Sequence, residues 1–232
     1  MNNWEKVWNK EDRTNKIILD CLVKADGFSS SSRKYEEDSW TEYCESFFLK
    51  LNILQNESIF EVGCGSGAFL YLLYLKKNIV AGIDYSSSLI NLARKLMPEG
   101  NFICEDVINF QSNNSYDVVL SHSVFQYFKD LNEAELVIKS MAQMAKKKIA
   151  VFDVTDITKY DLFHSVRMNN YINEGFSEDD YKKRYQGLTH LFFSKDWFEE
   201  IGEKLNLKTE IFDQVNDNYE KSILGFNVIF SK

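Results

Sequence analysis

The chain has 232 residues, 44% of them hydrophobic and 15% aromatic, enough to bury one α/β core. Its formal net charge of −8 and pI of about 5.0 argue against a broad nucleic-acid surface, which needs a basic face. The N-terminus carries Trp4, Glu5, Lys6 and Trp8 rather than a signal peptide, and no apolar run nears the roughly 20 residues of a membrane span.

Four cysteines, Cys21, Cys44, Cys64 and Cys104, show no C-x-x-C pairing and read as reduced thiols. These features predict a soluble, cytoplasmic protein. One proline and no low-complexity linker predict a single domain. Residues 16–23 form a short apolar-rich helical run, and 27–32 (GFSSSS) read as a flexible loop. Ser39 and Glu42 have capping-box spacing, and Trp40, Tyr43, Phe47 and Leu51 follow at helical intervals. These aromatics either pack on a sheet or belong to an N-terminal helical lid, residues 1–57, over a site.

Residues 58–74, SIFEVGCGSGAFLYLLY, organise the rest. Ile59, Phe60 and Val62 end a short buried strand, Gly63 to Gly67 form a tight turn, and 68–75 read as a buried helix. Strand, glycine turn and helix make a small-ligand site at the strand's carboxyl end. Glycines admit positive φ and close backbone approach, and the helix N-terminus suits a carboxylate or phosphate. Gly63, Gly65 and Ala68 satisfy G-x-G-x-x-G/A, which keeps a nicotinamide-dependent oxidoreductase open. Glu61 points elsewhere: a carboxylate at the mouth of the turn repels a pyrophosphate and suits a cationic amino or sulfonium group.

With Gly67 the motif becomes E-x-G-x-G-x-G. Here the chain resembles the class I S-adenosylmethionine (SAM)-dependent methyltransferases. Residues 78–84 form a second strand ending in Asp84, 21 residues after Gly63, the distance at which a carboxylate meets ribose hydroxyls. Asp84 is otherwise a helix cap, a job Ser86 can do for the helix over 87–97. A third strand, 101–104, precedes Asp106, which the family pattern sets against the adenine amino group; otherwise it is a loop carboxylate. A fourth strand, 116–121, runs into His122 and the word HSVFQYF.

An amphipathic helix covers 131–145, with Lys146, Lys147 and Lys148 as solvated caps at its end. A fifth strand follows over 149–154, and 156–193 read as a mostly helical insertion over the active site. Ser194 caps a helix carrying Trp197, Phe198, Ile201 and Leu205, and 207–212 and 225–230 are strands. The whole predicts a doubly wound, Rossmann-like α/β sheet of seven strands with a terminal antiparallel strand: core 58–155, then a C-terminal helix and strand pair over 194–232.

The words EVGCGSGAFLY, GIDYS, SHSVFQYF and HLFFSKDWF, with Asp213, Gln214, Tyr219, Ser222 and Phe226, Asn227 and Val228, extend the resemblance over about 55–231. They are similar to a bacterial subgroup of small methyltransferases tied to surface-polysaccharide and related small-molecule pathways. The resemblance implies cofactor contacts from Glu61, Gly63, Cys64, Gly65 and Gly67 on the first turn. Asp84 and Tyr85 follow the second strand, Asp106 and Val107 the third, and Ser121 and His122 close the fourth. Gln214 and Tyr219 are implied as an active-site wall, and Gln126, Tyr127, Arg167 and His190 are expected on the acceptor side. Gly225 stands where the subgroup tends to carry an arginine.

The implied chemistry is in-line displacement of a methyl group from SAM, driven by positioning and desolvation. A base is needed only where the acceptor loses a proton; His122 or His190 would serve, and His122 is otherwise a wall residue. Arg167 and residues 181–185 either form a basic patch for an anionic acceptor or a solvated helix face. The expectation is methyl transfer to oxygen of a small, sugar-linked or phosphorylated acceptor, with no metal, nucleic-acid or membrane partner. A non-catalytic SAM-binding protein is the remaining alternative.

Overall fold

A computed structural model of the protein describes residues 18–28, 37–213 and 223–232. Its sheet contains β1 (Ser58–Val62), β2 (Ile79–Asp84), β3 (Asn101–Cys104), β4 (Tyr116–His122), β5 (Ala145–Thr155), β6 (Lys208–Asp213) and β7 (Gly225–Ser231). The spatial order is β3-β2-β1-β4-β5-β7-β6. The first five strands pair in parallel, while β7 runs antiparallel to both β5 and β6. This is the doubly wound, seven-stranded arrangement that the sequence predicts.

Eight α-helices are described: α1 (Ile18–Ala25), α2 (Glu37–Leu51), α3 (Ala68–Leu75), α4 (Ser87–Leu96), α5 (Leu131–Met144), α6 (Tyr160–Asn173), α7 (Glu178–Arg184) and α8 (Lys195–Lys204). Residues of α1 to α4 share one apolar cluster with the sheet, and those of α5 and α8 share the other. Burial on both faces explains why β1 and β4 read as nearly unbroken apolar runs instead of alternating ones. Trp40, Tyr43, Phe47 and Leu51 of α2 are buried, so their helical spacing marks a core face. Trp40 Nε1 also donates to Ala68 O at 3.2 Å, which ties α2 to the first turn of α3.

Several boundaries differ from the sequence reading. Helix α2 starts at Glu37, so Ser39 lies inside it rather than at its cap. β5 starts at Ala145, which puts Lys146, Lys147 and Lys148 in the strand instead of at a helix end. β5 pairs Lys148 with Val118, and the neighbouring Lys147 Nζ lies 2.5 Å from Glu57 Oε1 and 3.0 Å from Asp117 Oδ1, a charge network that ties the start of β5 to the starts of β1 and β4. Residues 156–193 are helical through α6 and α7. Their last stretch instead rejoins the sheet, with Phe193 N donating to Thr155 O at 2.9 Å. None of the described helices is long and apolar enough to cross a membrane.

Candidate active site

The glycine turn leaves β1 with Gly63, Gly65 and Gly67 at φ of 73°, 53° and 84°, the left-handed region that costs glycine little. Gly63 N and Cys64 N both donate to Ile83 O, at 2.8 and 3.0 Å, which pins the turn to β2. Space also demands glycine: a Cβ at Gly63 would stand 2.4 Å from Val124, and one at Gly65 would stand 2.5 Å from Asp26 Oδ1.

Three carboxylates surround this turn. Glu61 is 3% exposed, and its Oε2 has no hydrogen-bond partner among the described residues. Burial pushes its proton affinity well above the usual carboxylate range, and the neighbouring Asp26 and Asp84 add to the shift. Asp84 takes Gly65 N at 3.0 Å on one oxygen and Ser86 N at 2.8 Å on the other. It thus bridges two turns, whereas the Ser86 side chain makes no capping bond to α4. Burial also raises Asp84, against the pull of those two N–H groups.

Asp26 is the third, and nothing in its spacing announced it. Its carboxylate accepts from Ser66 N at 2.7 Å and Ala68 N at 3.3 Å, while Ser66 Oγ donates back to Leu22 O at 3.1 Å. These N–H groups lie at the α3 N-terminus, where the sequence reading put a ligand carboxylate or phosphate. The protein's own carboxylate holds them instead, because α1 packs its Leu22 and Val23 against this turn and delivers Asp26 there. Burial drives the Asp26 carboxyl up to about 7.

A cavity of about 850 Å³ opens beside the turn. Glu61, Gly63, Cys64, Gly65, Asp84, Tyr85, Asp106, Val107, His122 and Tyr127 line it, so ten of the expected residues come together. Asp26, Phe28, Asn109 and Lys129 line it too, and the sequence reading missed them. Gly67 and Ser121 lie behind the wall: Gly67 faces Met97, and Ser121 Oγ donates to Val62 O at 2.9 Å. Gln126 and His190 line a small adjoining pocket of about 20 Å³ that shares Tyr127 with the large one. Arg167 lines neither; its Nη1 lies 3.0 Å from His190 Nε2, and its guanidinium covers the rings of Tyr185 and Phe163. The expected Gln214 and Tyr219 lie outside the described residues.

His122 is 5% exposed and enclosed by Phe28, Trp40, Tyr43 and Phe69, with ring centroids 5.1 to 5.9 Å away. Its Nε2 is 2.8 Å from Tyr43 Oη. Burial pushes the imidazole down to about 4, though Asp153 opposes the shift. Next to it, Ser123 and Asp153 both have positive φ, 59° and 57°, which strains non-glycine backbone and is a mark of built sites. Ser123 Oγ donates to Asp153 Oδ2 at 2.7 Å, and Asp153 N donates to Asn227 Oδ1 at 3.0 Å. Gln126 is fixed by its Nε2 donating to Ser123 O at 2.8 Å. Its buried Oε1, 4% exposed as a residue, has no partner among the described residues.

Residues 60–152 match the family model described as "Methyltransferase domain". That matched domain runs from β1 into β5 and spans less than half of the chain. The domain is 35% identical over 89 residues to the malonyl-[acyl-carrier protein] O-methyltransferase of Priestia megaterium, covering 36% of this chain and 32% of that relative. The chain spans about a third of the length of the curated relatives it matches. Among solved structures, the fold is shared with the plantazolicin methyltransferase BpumL in complex with a triazolic desmethylPZN analog and SAH. The TM-score is 0.59 at 17% identity, with 100% of this chain and 99% of that one covered. It is shared also with magnesium protoporphyrin IX methyltransferase (ChlM) of Synechocystis PCC 6803 with bound SAM, at TM-score 0.57 and 12% identity, covering 99% and 90%. At these identities the likeness concerns the fold alone.

Proposed function

We propose that the protein is a SAM-dependent methyltransferase that transfers a methyl group to an oxygen of a small, sugar-linked acceptor. One observation carries the reading: Glu61, whose buried Oε2 has no hydrogen-bond partner among the described residues, lines the cavity at the glycine turn. An orphan carboxylate there asks for a cation and turns away a pyrophosphate, which disfavours the nicotinamide alternative. SAM brings such a cation and, when bound, supplies an activated methyl group on its sulfonium.

Glu61 and the backbone around Gly63 and Gly65 would hold the amino-acid end, Asp84 the ribose hydroxyls, and Asp106 and Val107 the adenine edge. Cys64, Tyr85, Gly67 and Ser121 shape or support that wall. Six acidic side chains line the cavity (Asp26, Glu61, Asp84, Glu105, Asp106 and Glu133), against Lys129 alone among described lysines and arginines. That balance favours a neutral hydroxyl acceptor over a phosphorylated one. The names of the relatives include an O-methyltransferase, in line with an oxygen acceptor. The surface-polysaccharide pathway rests on the sequence words shared with that subgroup, and a cytoplasmic setting on four free cysteines.

A hydroxyl acceptor must lose its proton. His122 is a weak proton holder, tied to Tyr43 and held neutral by burial, and fits a wall that excludes water. His190 lies beside Tyr127 with ring centroids 5.5 Å apart. The donor-only guanidinium of Arg167, 3.0 Å from its Nε2, occupies the lone pair a base needs, so His190 fits an acceptor-orienting role and the hydroxyl proton passes to solvent. Gln126 and Tyr127 would position the acceptor. Titration calorimetry with S-adenosylhomocysteine (SAH) and with NADH tests the reading. SAH should bind in the micromolar range and NADH should give no heat; NADH binding with SAH ignored would overturn it.

A further inference from the structure

Asp26, Glu61 and Asp84 reach the cavity from three separate segments: the end of α1, the middle of β1 and the end of β2. Asp84 raises the hold of Asp26 on a proton, and both raise that of Glu61. The groups that face Asp26 from the turn are N–H donors of Ser66 and Ala68, which carry no full charge. Lys24, on the helix that delivers Asp26, pairs outward with Asp20. Lys129 lines the cavity, yet it figures among the influences on none of the three carboxylates. Three clustered carboxylates, Glu61 buried and Asp26 and Asp84 half-buried, are relieved by holding protons or by facing a cation.

We propose that Asp26 is a cofactor-binding residue and that the cofactor's ammonium enters this carboxylate cluster by displacing a proton to solvent. The inference rests on the SAM reading above. SAM and SAH share the α-ammonium, which stays protonated throughout; the carboxylic O–H of the cluster is the bond that breaks, and the carboxylate left behind pairs with the ammonium. The N-terminal segment, absent from the glycine motif and from the matched stretch at 60–152, thereby supplies part of the site.

The direction of the pH dependence follows. A bound cation lowers the proton affinity of Asp26, so the bound protein carries fewer protons than the free one. Affinity therefore rises with pH up to the free-site value of about 7 and levels off above it. Below that value each displaced proton weakens binding about tenfold per pH unit.

Calorimetry of SAH binding to the full chain near about pH 6.5, in two buffers of different ionisation enthalpy, counts the protons. Proton release by the wild type, with a smaller release and a flatter pH profile for Asp26→Asn, is the expected result. Zero release, or the same release in Asp26→Asn, would overturn the proposal and leave Asp26 as an anchor of α3. Should Asp26→Asn fail to fold, the carboxyl ¹³C resonance of Asp26 in the wild type decides. It should titrate near neutrality in the free protein and move to its ionised position when SAH is added; a resonance indifferent to SAH overturns the proposal. Failure of SAH to bind at any pH is a separate result: it defeats the SAM reading and this inference with it.

Discussion

Replacing His122 by phenylalanine separates the imidazole's charge from its packing. The ring sits among Phe28, Trp40, Tyr43 and Phe69, a cage that a phenyl ring also fits. The folded imidazole is pushed down to about 4, against about 6.5 in an unfolded chain. At neutral pH both states are neutral and the charge contributes nothing. As pH falls below about 6.5 the unfolded chain takes the proton first, and the wild type loses about 1.4 kcal/mol per unit until about pH 4.

Between about pH 7 and pH 5 this amounts to about 2 kcal/mol, or about 4–8 °C in Tm for a chain of this size. Asp26, Glu61 and Asp84 act the other way. Their raised proton affinity in the fold strengthens it on acidification. The wild-type curve alone therefore mixes both effects, and the difference between wild type and His122→Phe isolates the imidazole. Loss of the Tyr43 bond shifts the variant equally at both pH values. Urea unfolding of the two proteins at each pH gives the numbers. A difference that stays constant within about 0.5 kcal/mol would refute the burial argument for His122.

Asp84→Ala removes the acceptor of Gly65 N and Ser86 N as well as the proposed ribose contact; SAH affinity should fall by about 10- to 100-fold, read by equilibrium dialysis. Tyr43→Phe strips the partner from a buried ring nitrogen of His122 and should cost about 1–3 kcal/mol in chemical denaturation. Gly202→Ala places a Cβ 1.9 Å from Thr209 Oγ1, between α8 and β6, and should cost about 1–3 kcal/mol with SAH binding intact.

The parallel core was legible because its signals are local. Val62 to Gly67 and the run to Asp84 fix a strand, a turn and the next strand within some twenty residues, and continuous apolar runs mark strands covered on both faces. Asp26 was not legible, because its role depends on where α1 docks, 40 residues from Ser66 in sequence. The start of β5 was missed for a related reason. Lys146, Lys147 and Lys148 look like a helix end until Glu57 and Asp117, distant in sequence, pair with Lys147 and Leu51 O accepts from Lys148. His122 is the last residue of β4, where the sequence reading ended the strand one residue earlier. Its enclosure, however, comes from Phe28 and α2, whose aromatics read equally well as lid or core before their packing was known.

The last strand of the chain, β7, lies inside the sheet rather than at its rim, paired with β5 on one flank and β6 on the other. During synthesis, β5 must wait with one edge unpaired until Phe226 to Phe230 have left the ribosome, and β6 waits with it. Only then does the apolar cluster holding Phe193, Phe198 and Phe226 close. Nascent chains halted before that point expose a long strand edge, which makes them natural clients for chaperones.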